Sequence, residues 1–150
     1  MTYTILAILY RKPGLTPSQF KSYYEITHVP LVREVTGSHF PTVYKRSYLP
    51  RAHIHGQGGI DETDADADTS NTAYQATTAL AGSPSDFQFD VVTEMVFEDE
   101  PHFRAFQVAL DKSSERVKAD EAAFFDTSKI HVTKIDGPFI CGLEQVASSE

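Results

Sequence analysis

The sequence predicts a single α+β domain. Four short runs rich in branched and aromatic side chains, at 3–10, 40–49, 89–97 and 129–135, have the length and patterning of strands. Stretches with apolar residues at helical spacing lie between the first and second runs and between the third and fourth. Size agrees: 150 residues with 41% hydrophobic and 23% charged side chains suit one full core and leave little room for a second.

The first run, YTILAILY, reads as a buried strand that Arg11, Lys12, Pro13 and Gly14 stop with charge and turn chemistry. Thr16-Pro17-Ser18-Gln19 then has the form of a helix start. Thr16 serves as N-cap, Pro17 takes the first position and Gln19 closes a capping box, with Leu15 and Phe20 spaced as a hydrophobic staple. Helical spacing puts Phe20, Tyr23, Tyr24, Thr27 and His28 on one face and points Lys21, Ser22 and Glu25 elsewhere. Because a residue before proline is biased away from helical dihedrals, Pro30 predicts a break near His28 and a restart that ends at Gly37.

Phe40 to Leu49 reads as the second strand, with Phe40, Thr42, Tyr44, Arg46 and Tyr48 on one face. From about 50 to 86 the composition turns to Gly, Asp, Ala, Thr and Ser with little periodicity, which predicts a flexible acidic insertion, a lid or a decoration. The third strand, FDVVTEMVF, leads to Glu98-Asp99-Glu100-Pro101, acids and a proline that suit a helix start, and Phe103, Phe106 and Leu110 repeat at helical spacing. After Ser113 and Ser114 a further helix carries Val117, Phe124 and Phe125, with Glu121 among them and Asp120 at the edge. An acid on an apolar side calls for a partner. A fourth strand at 129–135 closes the set, and a loosely patterned tail starts at about 136.

Strand, helix, strand, strand, helix, strand is the βαββαβ order of ferredoxin-like folds, in which helices cover one face of a four-stranded antiparallel sheet. The other face would lie bare, and its branched and aromatic side chains predict a homodimer through the sheet, packed as a dimeric α+β barrel.

Thirteen Lys and Arg against twenty-one Asp and Glu give a formal charge of -8, which disfavours nucleic acid and anionic membrane surfaces. Much of that acidity is local, in Asp61, Glu62, Asp64, Asp66 and Asp68. A lone cysteine, Cys141, leaves the fold to packing and is compatible with a reducing compartment. The longest apolar run, Ile5 to Tyr10, is far below the roughly 20 residues that cross a bilayer, and no basic segment precedes it as in a signal peptide. The expectation is a cytoplasmic protein. Asn71, followed by Thr72 and Ala73, forms no glycosylation sequon.

The segment Arg11-Lys12-Pro13-Gly14-Leu15-Thr16-Pro17, with Phe20, Tyr24, His28, Pro30 and Leu31 and the later Asp120-Glu121 and Phe124-Phe125-Asp126, resembles the EthD domain family of the dimeric α+β barrel superfamily. The similarity spans roughly residues 3 to 135 apart from the insertion, which departs from the compact family pattern. It implies a small cofactor-independent protein with a cavity between sheet and helices in each subunit. Similar proteins in secondary metabolism include decarboxylases and dehydratases of aromatic polyketides, while other superfamily members are cyclases or cofactor-free oxygenases. Three readings follow: a lyase of a phenolic or polyketide substrate, a cyclase or oxygenase, and a non-catalytic dimeric module that binds a small molecule.

His28 is the first candidate for chemistry, because imidazole titrates near neutrality and a helix break makes it reachable. Its structural alternative is a bond that ties down the helix end. Glu121 and Asp120 stand on the helix that packs beside the first, where either could orient the imidazole or shuttle its proton, or else form a structural ion pair. Tyr24, Tyr44 and Tyr48 offer phenol donors on apolar bodies for a flat hydroxylated ligand. Asp90 and Glu94 share a strand face with Val92 and are candidates to line the cavity or the dimer barrel. His53 and His55 have the spacing of some metal ligands but no third ligand is fixed, so His55 is kept as a lid residue and no metal site is assigned. Asp64, Asp66 and Asp68 imitate a calcium loop, yet Thr69 and Gln75 replace its required glycine and glutamate, and the calcium reading fails.

Overall fold

A computed structural model describes residues 1–51 and 77–143 of the chain. The strands are β1 (Tyr3–Leu9), β2 (Val43–Tyr48), β3 (Val91–Phe97) and β4 (His131–Ile135). They form one antiparallel sheet in the order β2, β3, β1, β4. The helices are α1 (Pro17–Tyr23), α2 (Val29–Thr36), α3 (Glu100–Lys112) and α4 (Ser114–Phe124). Order and pairing are those of the ferredoxin-like βαββαβ fold expected from the sequence.

The start of α1 forms as its residues dictate. Thr16 accepts from the Gln19 backbone, and the Gln19 side chain accepts from the Thr16 N–H, both at 3.0 Å. The expected break at His28 does not occur. Val29 keeps helical dihedrals, and residues Tyr24–His28 form one turn of π-helix that joins α1 to α2, with the Val29 N–H donating to the Tyr24 carbonyl. The physical reason is Pro30, which lacks a backbone N–H and crowds the carbonyl one turn before it; a widened turn absorbs both defects without ending the helix. The same widening changes which residues share a face: Thr27 is exposed, while Glu25, expected to point away, reaches β2.

Cross-strand register assigns the faces. Ile5, Ala7 and Leu9 of β1 stand opposite Met95, Thr93 and Val91 of β3, and Tyr44, Arg46 and Tyr48 of β2 lie beside that same set. This face packs beneath the helices in two clusters, one around Phe20, Tyr24, Val91, Phe124 and Phe125 and one around Ile5, Val32, Phe97 and Phe106. Removing each such side chain from water contributes about 1.5–3 kcal/mol. On the opposite face Leu6, Ile8 and Val92 are only half-buried and Val43 is exposed. The start of the tail is tied to the sheet where Thr4 donates to the Gly137 carbonyl at 2.6 Å.

Just past the expected insertion, Asp90 is held to the sheet, its N–H donating to the Leu9 carbonyl at 2.9 Å. Arg51, 7% exposed, donates to the Phe87 and Phe89 carbonyls and pairs with Asp90. His53, His55, the acidic run at 61–68 and Asn71 lie outside the described residues. No helix among the described residues is long and apolar enough to cross a membrane.

Candidate functional site

A cavity of about 230 Å³ lies between the helix-side face of the sheet and helices α2 to α4. Its walls are mostly apolar: Ile5, Ala7 and Leu9 from β1, with Phe103 and Phe106 from α3 and Phe125 after α4. Polar side chains also line it: those of His28, Glu121, Tyr24, Tyr44 and Gln107, together with the small hydroxyl of Thr93.

His28 is positioned from three sides. Its ring packs on Phe124 with centroids 4.9 Å apart and edge-on to Tyr24 at 5.2 Å. The Nδ1 atom lies 2.5 Å from Asp120 Oδ2, and the other carboxylate oxygen of Asp120 accepts from the Tyr23 hydroxyl at 2.8 Å. Both partners are nearly out of water, His28 at 6% exposure and Asp120 at 8%. Burial pushes the histidine pKa below its usual 6.5; the Asp120 carboxylate opposes that shift and the Arg46 charge adds to it. The imidazole therefore rests neutral, with Nδ1–H donated to Asp120 and the Nε2 lone pair left over. No hydrogen bond from a described residue occupies Nε2.

Glu121 follows Asp120 in sequence but faces the cavity. Burial raises its pKa, the neighbouring Asp120 charge raises it further, and Lys118 works against both. One wall thus carries a histidine biased toward its basic form and a carboxyl biased toward its acid form. The Tyr24 hydroxyl lies 2.8 Å from Thr93 Oγ1 and 3.1 Å from the Tyr44 hydroxyl.

The remaining candidates lie elsewhere. Tyr48 donates to Glu25 Oε2 at 2.5 Å, and that carboxylate also holds Arg46 through two bonds of 2.7 Å. Asp90 sits between Arg11 and Arg51 and accepts from the Arg11 backbone at 2.8 Å, outside the central cavity. Glu94 belongs to the outer face of the sheet, opposite Leu6, with Lys45 Nζ 3.0 Å away. Asp120, expected at the edge of its helix, is buried against His28 because the π-helical turn after α1 packs against α4 on that side. Sequence reasoning passed over Tyr23, Thr93, Arg46 and Glu25; the only advance signal was a tyrosine pair on the helix and a polar residue at an inward strand position. Among the described residues no group of three His, Cys, Asp or Glu side chains is placed to hold a metal ion.

Comparisons with known proteins bear on this site. The EthD domain family matches residues 12–128. Two crystal structures share the fold. One is an EthD-like protein from Ralstonia eutropha JMP134, 12% identical over 88% of this chain and 89% of that one, with a TM-score of 0.50. The other is an ethyl tert-butyl ether D (EthD) family protein from Bacillus halodurans C-125, 16% identical over 92% and 100%, with a TM-score of 0.52. No curated protein matches the chain.

Proposed function

The chain belongs to the EthD domain family, and from that premise we propose that it is a lyase. In this reading it holds a phenolic or hydroaromatic small molecule in the cavity beneath the sheet and removes carbon dioxide or water, with His28 moving the proton. The observation that carries the reading is the buried couple of His28 and Asp120 on the wall of an apolar hollow.

In a decarboxylation, Nε2 takes the carboxylic proton, the bond to the departing carbon breaks with its electron pair spreading onto a conjugated oxygen, and the same proton returns to carbon. In a dehydration, Nε2 takes a C–H proton while Glu121 gives one to the leaving hydroxyl, and the imidazolium then restores the glutamic acid. The lowered pKa of His28 suits it as the base in both schemes, and the raised pKa of Glu121 suits it as the acid in the dehydration. Neither scheme calls on a metal or an organic cofactor. Aromatic polyketide acids and their hydroaromatic precursors carry the needed conjugated oxygens, and we assign the activity to their biosynthesis in secondary metabolism. The single cysteine is the ground for placing it in the cytoplasm.

A second copy of the chain would cover the outer sheet face, where Leu6, Ile8 and Val92 are half-buried and Val43 is exposed. The activity is tested by incubating the purified protein with candidate polyketide acids and following loss of the mass of carbon dioxide or of water. Turnover by the wild type and its loss in His28→Asn are expected. Full turnover in that variant overturns the assignment. Tight ligand binding with no product from any candidate would favour a carrier, and oxygen consumption an oxygenase.

A further inference from the structure

The hydroxyls of Thr93, Tyr24 and Tyr44 all line the cavity and form one chain, with Tyr24 in the middle at 2.8 Å and 3.1 Å from its neighbours. Each hydroxyl brings one proton, and two contacts use two of them. One proton is left over, and its location follows from burial. Tyr24 and Thr93 are each 1% exposed, so an unspent O–H on either would be a buried donor without a partner, whereas Tyr44 is half-buried and opens on the hollow. The order Thr93 to Tyr24 to Tyr44 satisfies both inner groups and delivers the spare donor at Tyr44.

We propose that these three residues are a directional relay that offers one hydrogen bond from Tyr44 to an acceptor oxygen, a ring carbonyl or phenolate, on the bound compound. The inference rests on the reading of the cavity as a small-molecule site and deepens it by naming the group recognised. Two further observations fit. The Arg46 guanidinium lies 4.9 Å from the centre of the Tyr44 ring, where its charge favours electron density building up on an oxygen that Tyr44 holds. The Tyr24 ring packs edge-on against both His28 and Tyr44, so the donor and the imidazole flank one aromatic ring and reach the same ligand. Burial keeps the Tyr44 phenol protonated far above neutrality, which makes it a donor and not an acid. When His28 withdraws a proton from carbon, the charge left on the conjugated oxygen meets a donor already in place.

The test compares 1-tetralone with tetralin, two probes of the same bicyclic body that differ in the carbonyl oxygen. Binding to the full chain is followed by nuclear magnetic resonance of the histidine side chains. The wild type is expected to favour tetralone on the order of 5-fold, the worth of one neutral hydrogen bond. Tyr44→Phe should bring the ratio to about one. Thr93→Val, nearly the same shape, should lower the ratio part of the way, because the chain then loses its direction; it also serves as the test if Tyr44→Phe melts early. An unchanged ratio in both variants, with tetralone still shifting the His28 resonances, overturns the relay and leaves the cavity reading standing. Failure of both probes to bind the wild type overturns both.

Discussion

His28 Nδ1 and Asp120 Oδ2 lie 2.5 Å apart although 92 residues separate them in the chain. The contact ties the π-helical turn after α1 to the last turns of α4, and it decides which nitrogen of the imidazole is left for chemistry. Asp120→Asn keeps the shape of the site but presents an amide that can donate to Nδ1, which turns the ring to the wrong tautomer. Turnover is expected to fall on the order of 100-fold or more, with little change in melting temperature. Steady-state kinetics and the side-chain nitrogen shifts of His28 check this together.

The depressed pKa of His28 sets a pH dependence of stability. The folded protein holds this proton less tightly than the unfolded chain does, whose histidine titrates near 6.5. The unfolded state therefore binds more protons in that range, and stability rises with pH. The contribution is complete above about pH 6.5 and is lost as pH falls through the folded value. Melting curves of the wild type and His28→Asn should converge or cross as the solution is acidified, and the acid limb of kcat/KM should fall below the ordinary histidine range.

Glu25 behaves in the same sense for a different cause. Its two bonds from Arg46 hold the carboxyl below its usual range, with the Tyr48 hydroxyl adding to the effect. The stability it supplies is present above the unfolded carboxylate value and disappears as pH drops through the folded one. The pair is one-third exposed on the glutamate side, so Glu25→Gln should cost no more than about 1 kcal/mol at neutral pH. Urea titrations at neutral and acid pH would show the difference shrinking toward the acid end.

Phe124 is fully buried and touches Phe20, Tyr23, Tyr24, His28 and Phe125 through ring contacts. Truncation to alanine should destabilise the protein by about 3–5 kcal/mol, measured by urea unfolding. It removes the surface on which the imidazole rests, so turnover per folded molecule should fall as well.

Ile8 stands on the outer sheet face opposite Val92 and His131. If a second copy covers this face, Ile8→Asp buries a charge in the interface and yields monomers in analytical ultracentrifugation. The helix-side core is untouched by the change, so the far-ultraviolet circular dichroism should keep its shape. A wild type that sediments as a monomer would refute the arrangement.

The fold was legible because its signals are local. The capping box at Thr16 and Gln19, the strand patterning of 3–10 and 89–97 and the proline after Glu100 each act within a few residues, and each appears where the sequence puts it. The site was legible only in outline. His28, Glu121, Tyr24 and Tyr44 were candidates by residue type, and they converge on one cavity. Asp90 and Glu94 were secondary candidates, because alternation along a strand says which residues share a face and not which face meets the helices.

By itself, then, the sequence determined the order of elements, the ferredoxin-like topology and the residue types able to move a proton. Tertiary structure decided that Asp120 holds the histidine, that Glu121 faces the hollow and that Tyr24 bridges Thr93 and Tyr44. It also decided that Pro30 widens the helix instead of ending it. The reason is physical: helix and strand starts depend on neighbours in the chain, whereas burial, ion pairing and hydrogen-bond direction depend on neighbours in space, which packing brings together from as far as 92 residues away.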